Sequence, residues 1–553
     1  MIPFTPRLFM LSPLLLVLFL DCVVLFALPS FAVSDGKSTK GEKNHEDDAV
    51  AVNKNECGVY FAPSTIPGAG NGIFAGRSYE IGEEVTLGDL IVAITDFSFH
   101  NKGDDGNDFL WDSYTWEAES FESMQTEARE PYGASFGIGA AVNCFDSLIN
   151  VDTDYGVVDS EGLHRSKDPG VGGFTIYHGR KGVAAEDIPE GMELFVDYGD
   201  GYFDGKREEM GIPTSKDYEL ARLILQNFDG KLTKELVRSA RNASMAENVA
   251  KDLYIIVQQD LKHLWTPPSG VLNALPDKIE YIDETLREGI SYAHYNRSIR
   301  SADWFNEFAT CADNLQEGPS TIKQAGRGAF LRRPIKAGEN IAPMPLIHLH
   351  NRSVLDMYRP LEGRQGYPVY KDMSPDKSQP PFHRQLLLNY CFGHRNTDIL
   401  LCPYGIGTGL VNHASSPELV NAKIVWSSKH MVRPEWLNMS TDQWVNETTA
   451  GLAFDLMSTR DLESGEEVFI DYGDEWEIAW RHHLGEWSPP PNAEQYITKQ
   501  DLTTAVHFED IAVPLAGESL RDHPFFTNIE QIRCHSIFVH WFGFEEEEEE
   551  EES

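Results

Sequence analysis

The chain contains an internal repeat, which constrains its fold more than any other feature of its 553 residues. Three sequence blocks occur twice in the same order, and the offset between copies grows only from 256 to 274 residues. A duplicated unit whose copies share a body and differ in their loops explains this pattern. The first block comprises 63–66 with 319–322 and 68–85 with 323–341, the second is 137–144 with 405–413, and the third is 183–200 with 457–474.

The two copies and the segment between them have different periodicities. Within 206–310, apolar residues recur at steps of three to five, which predicts helices. These residues are Leu220, Leu223, Ile224, Phe228, Val249, Leu253, Ile256, Leu261 and Leu264. The copies instead have Gly and Pro boundaries and short β-branched runs such as 194–196 and 468–470, which are typical of strands. We therefore expect an α+β chain: two β-rich domains, 57–205 and 311–487, joined by a helical segment, 206–310.

Residues 1–32 predict a signal peptide or a membrane anchor. Arg7 precedes an apolar run, and Ser30 and Ala32 are small residues at positions −3 and −1 of a cleavage site after Ala32. As an uncleaved anchor, 8–32 would be the sole contact with a membrane, but Asp21 would cost about 2.5–3.5 kcal/mol near its middle. We expect a protein of the secretory pathway or the extracellular space, with a flexible polar lead at 33–56.

Glycosylation and disulfide bonds are compatible with that route. N-x-[ST] sequons occur at Asn242, Asn296, Asn351, Asn438 and Asn446. If Cys22 is removed with the leader, six cysteines are left, an even number that permits disulfides whose pairing the spacing does not reveal. At the other end, an extension at 488–544 precedes a tail, 545–553, whose eight consecutive glutamates predict a disordered, solubilising segment.

The charge balance limits the partners. The chain has 46 Lys and Arg residues against 87 Asp and Glu residues, which gives a formal net charge of −41. Because this field repels a nucleic-acid duplex, direct nucleic-acid binding is not expected. The same charge favours basic protein partners. No metal site is expected either, because Cys534, His535 and His540 would point to different faces of an alternating strand.

Each copy resembles a SET domain, the β-clip fold of protein lysine methyltransferases. The resemblance rests on five blocks in one order and covers 57–205 and 311–487. In the second copy they are Gly326-Arg327-Gly328, the I-x-x-G-E-x-I of 335–341, Tyr390 in a tyrosine-x-aromatic block, Asn412-His413, and the G-E-E-x-x-x-D-Y-G that ends at Gly473. The resemblance implies an S-adenosylmethionine-dependent protein lysine N-methyltransferase whose active site lies in the C-terminal copy.

The resemblance also implies a cofactor site. Gly326, Arg327 and Gly328 would form a turn that S-adenosylmethionine approaches closely, since glycine has no Cβ. Asn412 and His413 would close over the adenosine and ammonium groups of the cofactor.

Two tyrosines would be catalytic by the same resemblance. Tyr472 matches the active-site tyrosine, and Tyr390 matches one that lines the lysine channel. Deprotonating a lysine of pKa about 10.4 at pH 7 costs about 4.6 kcal/mol. A narrow aromatic channel and the nearby sulfonium charge would lower that pKa, and the tyrosines would orient the amine.

The sequence departs from the family pattern in both copies. In the second, Glu418 stands where the family has asparagine, with Asn421 as a possible substitute. No cysteine cluster follows Gly473, so the zinc-bound segment that closes the channel in many members is absent from the sequence given. Residues that either close the channel instead or pack on a helix face are Trp476, Trp480 and His482.

The first copy lacks the Asn-His pair, because Asn143-Cys144 replaces it, although Tyr198 and Tyr114 are retained. We expect a diverged copy with a structural or regulatory role. Two alternatives to an enzyme stay open. One is a catalytically inactive SET-fold protein that binds a peptide or partner, and the other is a lumenal structural protein.

Overall fold

The structure is a computed structural model, and the residues that it describes lie between 57 and 495. The predicted leader, polar lead, acidic tail and the Cys534, His535 and His540 group lie outside the described residues. The described residues are 57–66, 68–86, 88–94, 110, 113–117, 132–153, 157–199, 202, 213, 215–228, 243–264, 270–276, 278–288, 292–357, 378–381, 383–393, 397–440, 443, 447, 449–491 and 493–495.

Contacts divide the chain into two compact units, and the larger one includes Lys54–Cys144, Ile149–Tyr198 and Ile299–Ser553. Its first half, up to Tyr198, contains a five-stranded antiparallel sheet of order β4-β5-β3-β8-β7 and a two-stranded sheet of β6 and β9. The elements are β1 Val59–Pro63, β2 Asn71–Ala75, β3 Asp89–Ile94, β4 Trp116–Glu117, β5 Tyr132–Phe136, α1 Ile138–Ala141, β6 Val151–Thr153, β7 Val157–Val158, β8 Tyr177–Arg180 and β9 Gly182–Ala184.

The smaller unit, which includes Phe145–Leu148 and Gly199–Ser298, is helical in its described residues. Ile224 and Phe228 are buried as their spacing predicts, whereas Ile256 is exposed because its helix buries Ala250, Tyr254 and Val257 instead. The helices are α2 Ser215–Asn227, α3 Ala243–Leu264, α4 Gly270–Ala274, α5 Ile282–Glu288 and α6 Tyr292–Arg297, with 3-10 turns at Asp146–Leu148 and Ile279–Tyr281.

The second half of the larger unit, from Ile299 onwards, has the same sheet architecture. Its five-stranded antiparallel sheet has the order β16-β17-β13-β20-β19. The elements are α7 Ala302–Phe308, β10 Thr310–Cys311, β11 Leu315–Pro319, β12 Arg327–Leu331, β13 Asn340–Leu349, β14 Asp356–Met357, β15 His383–Arg384, β16 Phe392–Gly393, β17 Leu400–Pro403, β18 Asn412–His413, β19 Ala422–Trp426, β20 Leu452–Ser458, β21 Phe469–Ile470 and α8 Asp474–Glu486. The 3-10 helices are Arg352–Leu355, Leu386–Tyr390, Thr408–Leu410, Pro434–Asn438 and Ala493–Gln495.

The strands of the two halves have the same order and the same parallel bridge. The strands β3 and β13 occupy the centres of their sheets, and each has two strands on either side. In the second half β18 pairs parallel with β21, so that Asn412 lies opposite Phe469. In the first half Asn143 makes the same parallel bridge with Phe195. The prediction of an α+β chain with β-rich sheets is confirmed.

The two halves are interleaved within the larger unit. Strand β1 of the first half pairs with β2 and also with β10, and a disulfide between Cys57 and Cys311 lies beside that pairing. A second disulfide joins Cys391 and Cys402 on neighbouring chain segments, and Cys144 is buried and is not part of a disulfide. The apolar core that surrounds β12, β13 and β20 takes in Leu90 from β3, so the halves share buried surface.

Two predictions about the compartment concern described residues. Within the part of the chain that the structure describes, no helix combines the length and apolar character needed to cross a membrane. The sequon residues Asn296, Asn351 and Asn438 have exposed side chains, and Asn242 and Asn446 lie outside the described residues.

Candidate active site

A hydrogen-bonded clasp centred on Glu467 holds the predicted cofactor turn. The Glu467 carboxylate is buried and accepts hydrogen bonds from Ser320 Oγ at 2.7 Å, from Thr321 N at 2.7 Å and from Thr321 Oγ1 at 2.6 Å. Asn412 Nδ2 donates to Arg327 O at 2.8 Å and also faces this carboxylate at 3.4 Å. A buried carboxylate that accepts several hydrogen bonds fixes its donors firmly. The clasp therefore ties the Pro-Ser-Thr-Ile block, the Gly-x-Gly turn and β18 together.

His413 is placed by contacts on both of its ring nitrogens. Its Nδ1 accepts a hydrogen bond from Tyr472 N at 3.0 Å, so the ring hydrogen lies on Nε2, which donates to Glu477 at 2.9 Å. Hydrogen bonds from Ser415, His413 and Arg481 lower the pKa of Glu477 to about 2. The hydrogen bond from Tyr472 N thus selects one tautomer of His413, and His413 in turn fixes the main chain at Tyr472.

The two predicted catalytic tyrosines pack on the same apolar cluster. The Tyr472 hydroxyl donates to Val411 O at 2.6 Å, which leaves its oxygen lone pairs as acceptors. The Tyr390 hydroxyl accepts from Thr175 N at 2.8 Å, so its own hydrogen points elsewhere. Burial raises the pKa of Tyr390 to about 12 and also raises the pKa of Tyr472. Both phenols are neutral at physiological pH and can orient an amine but not act as bases.

In the predicted cofactor turn, side chains from elsewhere in the protein occupy the positions where Gly326 and Gly328 would carry a Cβ. Gly326 has a φ of 69°, and an ideal Cβ there would lie 2.8 Å from ring atoms of Phe174. A Cβ at Gly328 would collide with the Glu467 carboxylate. Both glycines are therefore required by intramolecular packing. In this conformation the Phe174 ring lies against Gly326, on the side where a Cβ would project.

Arg327, at the centre of the turn, faces acidic residues. Its guanidinium forms an ion pair with Glu161 and lies 3.7 Å from Asp159 and 3.9 Å from Glu317. The side chain is only 12% exposed, so these charges are partly desolvated. Because Glu161 and Asp159 belong to the first half, the structure explains Arg327 as a link between the halves.

The residues considered for closing the channel lie on or near α8. Trp476 packs against His413 and Tyr472, at ring-centroid distances of 4.8 and 5.1 Å, and is 40% exposed. Trp480 stacks on Trp476, whereas His482 is exposed and pairs with Glu486. Trp476 is thus the aromatic side chain of this helix that covers the site.

The contacts of Glu418 and Asn421 show which of the two takes the structural role of the family's asparagine. Glu418 is exposed and accepts a hydrogen bond from Ser416. Asn421 is buried; its Nδ2 donates to Glu467 O and its Oδ1 accepts from Phe469 N, each at 2.8 Å. Asn421 therefore braces β21 just before Tyr472, and Glu418 has no such role.

The first half repeats the clasp without the histidine. Glu193 accepts from Ser64 Oγ and from Thr65 N, each at 2.7 Å, and from Asn143 Nδ2 at 3.1 Å. Tyr198 donates to Val142 O at 2.6 Å, as Tyr472 does to Val411. Cys144 stands where the second half has His413, so no side chain there can hold Tyr198 in the same way.

Several residues of this site were not predicted as site residues from the sequence. Glu467, Ser320 and Thr321 were visible as residues repeated in both copies, and their repetition is a signal that could have identified them. Glu477 gave no such signal. Neither did Phe174 and Thr175, which belong to a first-half segment that has no matched block in the second copy.

Comparisons with known proteins agree with part of this site. Residues 326–473 match the family model of the SET domain, a little over a quarter of the chain. No curated protein matches the chain. Among solved structures, a candidate histone methyltransferase of Plasmodium falciparum is 18% identical, with a TM-score of 0.18, and the match covers 30% of this chain and 96% of that one. Polycomb repressive complex 2 of Chaetomium thermophilum, in an autoinhibited conformation bound to S-adenosylmethionine, is 15% identical, with a TM-score of 0.18 and coverage of 42% and 30%.

Proposed function

We propose that the protein is an S-adenosylmethionine-dependent protein lysine N-methyltransferase whose activity lies in the second half. The observation that carries this proposal is the SET-domain match at 326–473, inside which β18 and β21 bring His413 against Tyr472. The match includes Gly326, Tyr390, Asn412, His413 and Tyr472, so every proposed site residue of the second half falls within one family segment. The bound cofactor would supply the methyl group as an electrophilic sulfonium.

The chain's own residues would bind and orient a lysine amine. Tyr472 Oη, whose hydrogen is donated to Val411, offers acceptor lone pairs to an N–H of the amine. Tyr390, packed on the same apolar cluster, borders the route to it. Desolvation of the amine in an apolar channel would disfavour an ammonium and so favour the neutral, nucleophilic amine. Asn412 holds the turn at Arg327, which makes it a positioning residue in this account.

We further propose that the two halves are tandem SET-like domains, of which the first is not catalytic. The shared strand order, the matching clasps at Glu193 and Glu467 and the matching tyrosine bonds at Tyr198 and Tyr472 support the duplication. The presence of Cys144 in place of a histidine supports loss of activity in the first.

A second function, a binding module without turnover, is favoured by a different observation. Two residues of the proposed cofactor site already have partners within the protein. The Phe174 ring packs against Gly326, and the Asn412 amide donates a hydrogen bond to Arg327 O. A protein that keeps the fold for binding peptides would tolerate both.

The compartment proposal follows from the cysteines. Two disulfides, Cys57–Cys311 and Cys391–Cys402, support folding in an oxidising compartment, and exposed sequons support a glycoprotein. We propose a secreted or lumenal protein with a basic protein substrate, no direct nucleic-acid partner, and membrane contact only through 8–32 if the leader is retained.

A methylation assay tests the proposed function. The full chain is incubated with labelled S-adenosylmethionine and an array of lysine peptides, and N-methyl-lysine is identified by mass spectrometry. Tyr472→Phe should reduce turnover at least about tenfold, or about 1.4 kcal/mol in the barrier, because it removes the acceptor oxygen and keeps the ring. Tyr198→Phe is the matched control and should change turnover little. Equal losses for both variants would contradict a second-half active site.

A further inference from the structure

A segment of the first half, residues 168–175, covers the proposed cofactor turn of the second half. The ring of Phe174 lies where a side chain of residue 326 would be, with two ring carbons 2.8 Å from the ideal Cβ position. The function proposed above places the cofactor against the same glycine. Two groups cannot occupy that space together, so cofactor binding at this turn requires Phe174 to move.

The segment is attached at several points around the proposed site. On the turn side, Gly170 N donates to Gln324 Oε1 at 3.1 Å, and Gln324 Nε2 donates to Asp168 Oδ1 at 3.0 Å. On the tyrosine side, Thr175 N donates to Tyr390 Oη at 2.8 Å, and Asn389 Nδ2 donates to Gly173 O at 2.9 Å.

The segment also contacts α8, because His483 Nε2 donates to Pro169 O at 2.9 Å. These polar contacts with the second half therefore reach the cofactor turn, the neighbourhood of Tyr390 and the helix that carries Trp476. Thr175 Oγ1 donates to the carbonyl of Ile91 at 2.6 Å, which anchors the end of the segment in the first half's sheet.

We propose that residues 168–175 are a cover that limits access of the methyl donor to the Gly326 turn, with Phe174 as the residue that blocks it. This inference rests on the proposed function. It gives the first half a regulatory role: the half without the Asn-His pair controls the half that has it. The apparent affinity for the cofactor is the affinity of the uncovered state multiplied by the fraction of molecules in that state.

The test compares cofactor binding by the wild-type full chain, Phe174→Ala and a control. Phe308→Ala is a matched control, since Phe308 is a partly exposed aromatic residue on α7 that packs on Trp304, away from the turn. Kd values for S-adenosylmethionine and S-adenosylhomocysteine are measured by calorimetry, and folding is checked by circular dichroism. We expect Phe174→Ala to lower Kd at least fivefold, and Phe308→Ala to leave it within twofold of wild type.

A second readout does not depend on catalysis. Hydrogen exchange of the 168–175 amides in the wild-type chain should increase when S-adenosylhomocysteine is added, since binding displaces the segment. An unchanged or raised Kd in folded Phe174→Ala, with wild type that binds, would overturn the cover and leave the proposed function standing. Absence of binding by both proteins would overturn the proposed function and the cover with it.

Discussion

Asp89 is a carboxylate that the first half buries at the start of its central strand. It is 1% exposed, and its Oδ2 accepts hydrogen bonds from Gly139 N at 3.0 Å and Ser135 Oγ at 3.2 Å. Gly137 must be glycine here, because its φ is 149° and a Cβ would collide with the Asp89 carboxylate. Burial raises the pKa of Asp89 to about 7, against the opposing effects of the Gly139 amide and the Arg180 charge. A buried acid of this kind makes stability depend on pH.

The sign of that dependence is set by the raised pKa. Between pH 4 and pH 7 the folded chain holds the Asp89 proton while the unfolded chain has lost it, so the free energy of unfolding falls as pH rises. From pH 5 to pH 8 this group should remove about 3 kcal/mol. Asp89→Asn keeps the acceptor oxygen and has no proton to lose. In urea unfolding at both pH values, the variant should lose about 3 kcal/mol less stability than wild type, and equal losses would contradict the buried-acid account.

At the scale of elements, each half is held together by one carboxylate clasp. Glu467 and Glu193 sit at equivalent positions and join a Ser-Thr turn, a Gly-x-Gly turn and a short parallel bridge. The bridge is β18 with β21 in the second half and Asn143 with Phe195 in the first. In each half, elements distant in sequence thus meet at one buried carboxyl group, which positions Tyr472 or Tyr198.

Removal of the clasp should destabilise the chain and disturb the site. Glu467→Ala leaves Ser320 Oγ, Thr321 N and Thr321 Oγ1 without their acceptor, at a cost of about 2–3 kcal/mol in the free energy of unfolding. Glu463→Ala, on an exposed residue of the same turn region, is the control and should change stability by less than about 0.5 kcal/mol. Both are measured by urea unfolding with wild type. A Glu467→Ala cost as small as that of the control would show that the clasp is dispensable.

Much of this element-level organisation could be predicted from the repeat. Repetition of Pro-Ser-Thr-Ile, of Gly-x-Gly and of the Asp-Tyr-Gly ending indicated two similar β-rich halves, and local periodicity indicated the helices between them. Repetition does not reveal contacts between the halves. Thr175 and Tyr390 are 215 residues apart, and Phe174 meets Gly326 from a segment with no counterpart, so neither pattern nor spacing could pair them.

The whole molecule combines the two halves in an asymmetric way. Strand β10 completes the β1–β2 sheet, the Cys57–Cys311 disulfide spans 254 residues, and Glu161 pairs with Arg327. These contacts join two halves that differ at the proposed site, since Cys144 of the first half occupies the position of His413 in the second. At this scale we predict a single cofactor site per chain, located in the second half and modulated by the first.

Calorimetric titration of S-adenosylmethionine into the full chain tests that central claim most directly. We predict one site per chain. It should be lost in His413→Ala, which removes the side chain that fixes Tyr472 N, and retained in Cys144→Ala. Circular dichroism shows that each variant is folded. Two sites per chain, loss of binding in Cys144→Ala alone, or no binding by folded wild-type protein would contradict the account.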